Sequence, residues 1–94
     1  MTKIHFEAPS PEDYCNLRAN AGMSSKSIEA AIKGLPHACF NVTLYENDML
    51  IGMGRVIGDG GTVFQIVDIA VKDIYQGLGH GMAIMHEIMK YIES

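Results

Sequence analysis

The sequence predicts an α+β domain, a mixed, mostly antiparallel sheet flanked by helices in the order β-α-α-β-β-β-α. Three features predict it: helical apolar spacing in two early segments, alternation across residues 39–57 around an Asn-Asp turn, and a β-branched run that enters a final amphipathic helix through a glycine-containing loop. Residues 1–94 are expected to form one domain, because 48% hydrophobic and 19% charged residues suit a packed core rather than a disordered chain.

Lys3 to Glu7 alternates Ile4 and Phe6 with polar neighbours, as a half-exposed strand does. Ser10 then offers a capping hydroxyl ahead of Pro11, Glu12 and Asp13, which suit the first turn of a helix whose buried stripe would be Tyr14, Leu17 and Ala21. Gly22 ends that helix, and Ser24 or Ser25 would cap a second one with Ile28, Ala31, Ile32 and Leu35 facing inward until Gly34 and Pro36 stop it. Phe40, Val42 and Leu44 alternate in a strand from Cys39 to Glu46, Asn47-Asp48 supplies the turn, and Met49 to Ile57 returns as the second arm of a hairpin. Gly52 and Gly54 interrupt the returning arm, which implies a bulge or the close approach of another group. After the Gly58-Asp59-Gly60-Gly61 turn, Thr62 to Lys72 is apolar enough to be read as a central strand. Asp73 to Gly81 forms a loop, and Met82 to Glu93 a helix with His86, Glu87, Lys90 and Glu93 on its polar side.

Eleven acidic residues against seven basic ones give a formal charge of -4 with no basic cluster, which argues against general nucleic-acid binding. Neither a secretion signal nor a run of about 18 apolar residues is present, so a cytoplasmic protein without membrane attachment is expected. Cys15 and Cys39 lack the spacing of a metal or redox pair and read as buried free thiols. His5, His37 and His86 share neither a helical face nor a ligand spacing, so no metal is expected. Met23, Met49, Met53, Met82, Met85 and Met89 read mostly as core filling, with Met53 able to line a cleft.

The stretch from Val67 to Gly81 carries the chemical information, because it joins a buried strand to a helix through glycines at alternate positions, 77, 79 and 81. Glycines there let consecutive backbone N–H groups converge on an anion at the positive end of the helix, a nest suited to phosphate or pyrophosphate. Met82 after Gly81 rules out a P-loop, which needs Gly-Lys-Ser or Gly-Lys-Thr. A dinucleotide fingerprint fails too, since only His80 separates Gly79 from Gly81 and no acidic residue can follow at the required distance.

Gln76-Gly77-Leu78-Gly79-His80-Gly81 resembles the pyrophosphate signature of the GNAT superfamily of N-acetyltransferases, and Asp68-Ile69-Ala70-Val71 before it resembles that family's fourth strand. The similarity runs over essentially the whole chain. It implies acetyl-coenzyme A as cosubstrate: backbone groups of Ile69, Ala70 and Val71 would pair with the pantetheine arm, while Gln76, Gly77, Leu78, Gly79, His80 and Gly81 would hold the pyrophosphate. It implies direct attack of a primary amine, on a small molecule or peptide, upon the thioester in a ternary complex, so that the protein positions both substrates, accepts a proton and stabilises the oxyanion.

Some relatives carry a glutamate where this chain has Gln65, others where it has Val67. Asp68 is the remaining carboxylate on this strand, to be read either as a base acting through water or an orienter of the amine, or as a carboxylate bonded to neighbouring backbone. His80 would contribute its N–H rather than its ring. The resemblance also implies a further strand and helix, with a tyrosine acid that neither Tyr75 nor Tyr91 replaces, so the chain reads as a partial domain lacking the C-terminal strands and helix. Its exposed fourth strand would then be open to homodimerisation or strand exchange. The alternatives to an enzyme are a non-catalytic coenzyme-binding module and an inert interaction fragment.

Overall fold

In the computed structural model, which describes residues 1–94, four strands form one sheet in the order β1-β2-β3-β4. They are β1 (Thr2–His5), β2 (Phe40–Glu46), β3 (Met49–Gly58) and β4 (Phe64–Val71), and every pairing is antiparallel. Helices α1 (Pro11–Asn20) and α2 (Ile28–Gly34) lie between β1 and β2 in sequence, and α3 (His80–Ile92) follows β4. No helix is long and apolar enough to cross a membrane.

The sheet separates two cores. Tyr14 and Leu17 of α1, Ala31 of α2 and Leu35 just after it pack with Leu50, Met53 and Ala70 on one face. Ile84 and Ile88 of α3 pack with Val42, Leu44, Ile51 and Val56 on the other, and none of these six is more than 1% exposed. Full burial of such an aliphatic side chain contributes about 1.5–3 kcal/mol, so α3 holds the sheet chiefly through Ile84 and Ile88.

The Ser10 hydroxyl accepts from the Asp13 amide at 3.1 Å and caps α1 as its sequence predicts. The second cap is Ser27 rather than Ser24 or Ser25, accepting from the Ala30 amide at 3.1 Å. Ser24 is otherwise engaged, because its carbonyl and hydroxyl accept from the Arg18 guanidinium. Ile28 and Ile32 face outward, 37% and 56% exposed, rather than inward, which leaves Ala31 and Leu35 as the packed residues of that segment. Asn47 and Asp48 take positive φ, 49° and 67°, as a two-residue hairpin turn requires.

The β4 run is an edge strand, since only β3 pairs with it, and not the central strand expected from its composition. Its apolar character comes from covered faces: Ile66, Ile69 and Val71 pack toward α3, while Ala70 is buried toward α1 and α2. Of the methionines read as core filling, only Met53 is fully buried; Met49, Met82 and Met89 are 40%, 80% and 40% exposed. The cysteines are half-buried free thiols, each donating to a carbonyl at 3.3 Å, Cys15 to Lys26 and Cys39 to Gly58.

Both readings of the paired glycines in β3 are realised. Between Leu44↔Gly52 and Tyr45↔Leu50 the register slips, so Ile51 and Gly52 both face α3. A second slip lies in β4: it takes three steps from Val67 to Ala70 where β3 takes two from Arg55 to Met53, so Asp68 and Ile69 together oppose Gly54. A β-carbon at Gly54 would sit 2.6 Å from both Ile69 Cδ1 and Ile84 Cγ2, so glycine there lets β4 and α3 close on β3.

Gly54→Ala should therefore destabilise the fold by about 1–3 kcal/mol in urea unfolding. Gly34→Ala, whose added carbon meets nothing within 4 Å on a right-handed backbone, should leave stability unchanged or raise it by up to about 1 kcal/mol.

Candidate functional site

Two features meet at β4, one on each face of the sheet. On the α3 side, the chain leaves Val71, makes a single turn of 3-10 helix at Asp73–Tyr75, and enters α3 through Gly77 and Gly79, with φ of 79° and 88°. Both values lie in the left-handed region that glycine adopts without steric cost. Gly79 is the N-cap of α3 and has no side chain to cap it, so the N–H groups of His80, Gly81 and Met82 have neither a capping side chain nor an intrahelical partner. Added β-carbons at Gly77, Gly79 and Gly81 would meet nothing within 4 Å, so these glycines border open space rather than packed neighbours.

That space is a cavity of about 280 Å³ lined by Ile69, Val71, Tyr75, Gln76, Gly77, Gly79, His80 and Gly81. It brings together most of the residues expected to bind coenzyme. Ala70 and Leu78 are not among the lining residues: Ala70 is buried toward the opposite face and has only its backbone to contribute, and Leu78 is 67% exposed. Tyr75, which had no assigned role in the sequence, is part of the wall and packs edge-on against the His80 ring at 6.1 Å between centroids. The Gln76 side-chain amide donates to the Val71 carbonyl at 2.9 Å and pins the loop to the end of β4. No lysine or arginine lines the cavity; its affinity for an anion would rest on uncapped amides and the helix dipole. A pyrophosphate fits these requirements.

On the other face, Asp68 stands at the bulge with φ 59°, left-handed backbone that aspartate tolerates better than most residues. Its carboxylate is only 8% exposed and pairs with two guanidinium groups. Arg18 donates through Nη1 to Oδ1, Arg55 through Nε to Oδ2 at 2.7 Å, and the Tyr14 hydroxyl also donates to Oδ2, at 2.8 Å. These are side-chain partners, not the neighbouring backbone that one sequence reading offered. Burial alone would push the Asp68 carboxyl up, but the hydrogen bonds from Arg55 and Tyr14 and the charges of Arg55 and Arg18 outweigh it and hold it below the usual carboxylate range. The Tyr14 phenol moves upward, through burial first and then through its bond to Asp68. Asp68 is thus a weak proton acceptor and a firm orienting group, whereas Tyr14 keeps its proton near neutrality.

Arg18 and Arg55 were legible as pattern violations. Arg18 follows Tyr14 by four residues on the apolar stripe of α1, and Arg55 follows the buried Met53 by two residues on β3. Gln65 is exposed, Val67 half-buried, and His5, His37 and His86 are exposed. No group of three or more His, Cys, Asp or Glu residues is placed to hold a metal ion.

Asp68→Asn removes the one anion between two largely buried cations and should destabilise the protein by about 3–5 kcal/mol at neutral pH. Because the folded carboxyl titrates below its unfolded value of about 3.9, its contribution is complete above that value and is lost as pH falls through the lower, folded one. Denaturant unfolding at a series of pH values should show the gap between parent and variant closing below about pH 4.

Among known proteins, the Acetyltransferase (GNAT) family model matches residues 6–94. A solved structure of a probable acetyltransferase from meticillin-resistant Staphylococcus aureus, a protein of unknown function, is 67% identical with a TM-score of 0.97, over 99% of this chain and 70% of that one. A GNAT family acetyltransferase from Streptococcus pneumoniae is 26% identical with a TM-score of 0.85, over 99% and 69%. An uncharacterised N-acetyltransferase of Prochlorococcus marinus is 28% identical over 81 residues, which are 82% of this chain and 45% of that protein, so the chain spans under half the length of this relative. The chain belongs to the GNAT family of acetyltransferases.

Proposed function

We propose that residues 1–94 are the acetyl-coenzyme A-binding part of an N-acetyltransferase that acetylates a primary amine on a small molecule or peptide. The observation that carries this reading is the single cavity shared by the outer part of β4 and the uncapped start of α3. Backbone groups of Ile69, Ala70 and Val71 would receive the pantetheine arm along the free edge of β4, as an added strand would be received. The amides from Gly77 to Gly81 would hold the pyrophosphate.

In the reaction, the amine lone pair forms a C–N bond to the thioester carbonyl, the C–S bond breaks, and the proton lost from nitrogen ends on the coenzyme thiolate. The bulge at Asp68 and Ile69 interrupts pairing with β3 and would leave backbone groups for the carbonyl and its developing charge. Asp68 would orient the amine and hold Tyr14, Arg18 and Arg55 in place rather than serve as the direct base, because three donors already occupy its oxygens and hold its pKa down. That same feature favours the second reading, a coenzyme-binding module without turnover. Calorimetry with acetyl-coenzyme A followed by an amine acetylation assay separates the two, since the module would bind and not acetylate.

Gly81→Asp is the variant of choice. Gly81 lies in the first turn of α3, its added side chain has room, and a carboxylate there favours the helix dipole, so melting temperature should hold or rise. Binding of acetyl-coenzyme A should nevertheless weaken by about 100-fold or more, through charge repulsion and occupation of the amide nest. Gly79→Asp adds strain from its left-handed backbone and is the less clean test. Unchanged binding by Gly81→Asp would remove the pyrophosphate from this site.

A further inference from the structure

The face of β4 turned toward α1 and α2 holds an unusual distribution of charge for an acidic chain. Arg18 and Arg55 share the single carboxylate of Asp68, so the cluster carries a net positive charge. All three guanidinium nitrogens of Arg18 are engaged: Nη1 donates to Asp68, and Nε and Nη2 donate to Ser24. Arg55 spends only its Nε on Asp68. Arg55 borders a cavity of about 190 Å³ between the two helices and β3, lined also by Tyr14, Lys26, Ala30, Ala31, Gly34 and Leu35. The charged residues of that wall are Lys26 and Arg55; no aspartate or glutamate belongs to it.

A narrow crevice of about 10 Å³ beside this cavity, space for a single water-sized group such as an ammonium, shares Tyr14, Leu35 and Arg55 with it and reaches Asn41, Met53 and Asp68. There the Asn41 Oδ1 is buried without a hydrogen-bond donor. A buried acceptor left unpaired costs on the order of 1–3 kcal/mol, so it marks a place where a donor from outside would be favoured. Acceptors for an N–H group, Asn41 on β2 and Asp68 at the bulge of β4, therefore line one crevice, and Lys26 and Arg55 line the cavity that adjoins it.

We propose that the acceptor is an amine that also carries an acidic group, carboxylate or phosphate, with the amine directed to Asn41 and Asp68 and the acidic group held by Arg55 and Lys26. This rests on the acetyltransferase reading for its chemistry, but the recognition of the acidic group does not depend on coenzyme. Arg55 supplies a planar fork suited to either anion, and Lys26, exposed at the rim, supplies a second charge. The overall charge of -4 would repel such a ligand elsewhere, so the preference must come from this site.

The test titrates the ¹⁵N-labelled chain, without coenzyme, with β-alanine, O-phosphoethanolamine, ethanolamine and propylamine, following the amides of Ala30, Ala31 and Gly34 and the Arg55 Nε–H. The two acidic amines should bind about tenfold or more tightly than the two without an acidic group, the stronger of them showing whether carboxylate or phosphate is preferred. Lys26→Glu, on an exposed side chain outside both cores, should reduce that preference by about fivefold, and Arg55→Lys should reduce it while keeping the charge beside Asp68. Equal response to all four amines, no response at these positions, or a preference untouched by Lys26→Glu would overturn the proposal. Acetyl-coenzyme A titrated into the same sample separates the two ideas: binding of coenzyme without amine preference sinks the acidic-acceptor site alone, and amine preference without coenzyme binding sinks the acetyltransferase reading alone.

Discussion

The bulge in β4 is the constraint on which the rest of the molecule depends. Asp68 and Ile69 share one position opposite Gly54, and that doubling sends Asp68 toward the helices of one face and Ile69 toward α3 on the other. The arrangement needs both partners. Gly54 leaves room for Ile69 and Ile84 to meet over β3, and the guanidinium groups of Arg18 and Arg55 hold the Asp68 carboxylate where its backbone takes a left-handed turn. Backbone strain of this sort, of order 1–3 kcal/mol, persists where surrounding contacts over-determine it. Here α1, β3 and β4 all converge on one carboxylate.

With the bulge in place, each face of β4 acquires a separate task. Toward α3, Ile69 and Val71 join the glycine loop and the start of the helix around one cavity, so strand edge and helix amides face a common space. Toward α1 and α2, the charge cluster closes a crevice that opens between cationic side chains. In the proposed reaction the coenzyme and the amine approach from these different directions and meet at the interruption in the ladder. The cluster's chemistry sets a limit on that reading: a carboxylate held by two arginines and a tyrosine positions its neighbours well and accepts protons poorly.

Much of the fold was legible in local pattern. Ser10 before Pro11, alternation on either side of Asn47-Asp48, and the glycines entering α3 each correspond to a specific backbone requirement met in the structure. What pattern missed was tertiary. The cap of α2 moved to Ser27 because Arg18, six residues before Ser24, claims that serine's oxygens. The apolar run of β4 suggests a central strand although it lies at the edge, because composition reports covered faces and is silent about edges. The cavity proposed to take the coenzyme is visible in the sequence because it is built from residues close together in the chain. The charge cluster, assembled from positions 14, 18, 55 and 68, could be suspected only from arginines standing on apolar stripes.

In the proposed function the outer backbone of β4 and the first turn of α3 form one coenzyme site. Amide resonances recorded as coenzyme A is added to the ¹⁵N-labelled chain test it most directly. Ile69, Ala70 and Val71 should shift together with Gly77, Gly79, His80 and Gly81, with one common affinity. Shifts confined to other parts of the chain, or two groups titrating with different affinities, would contradict it.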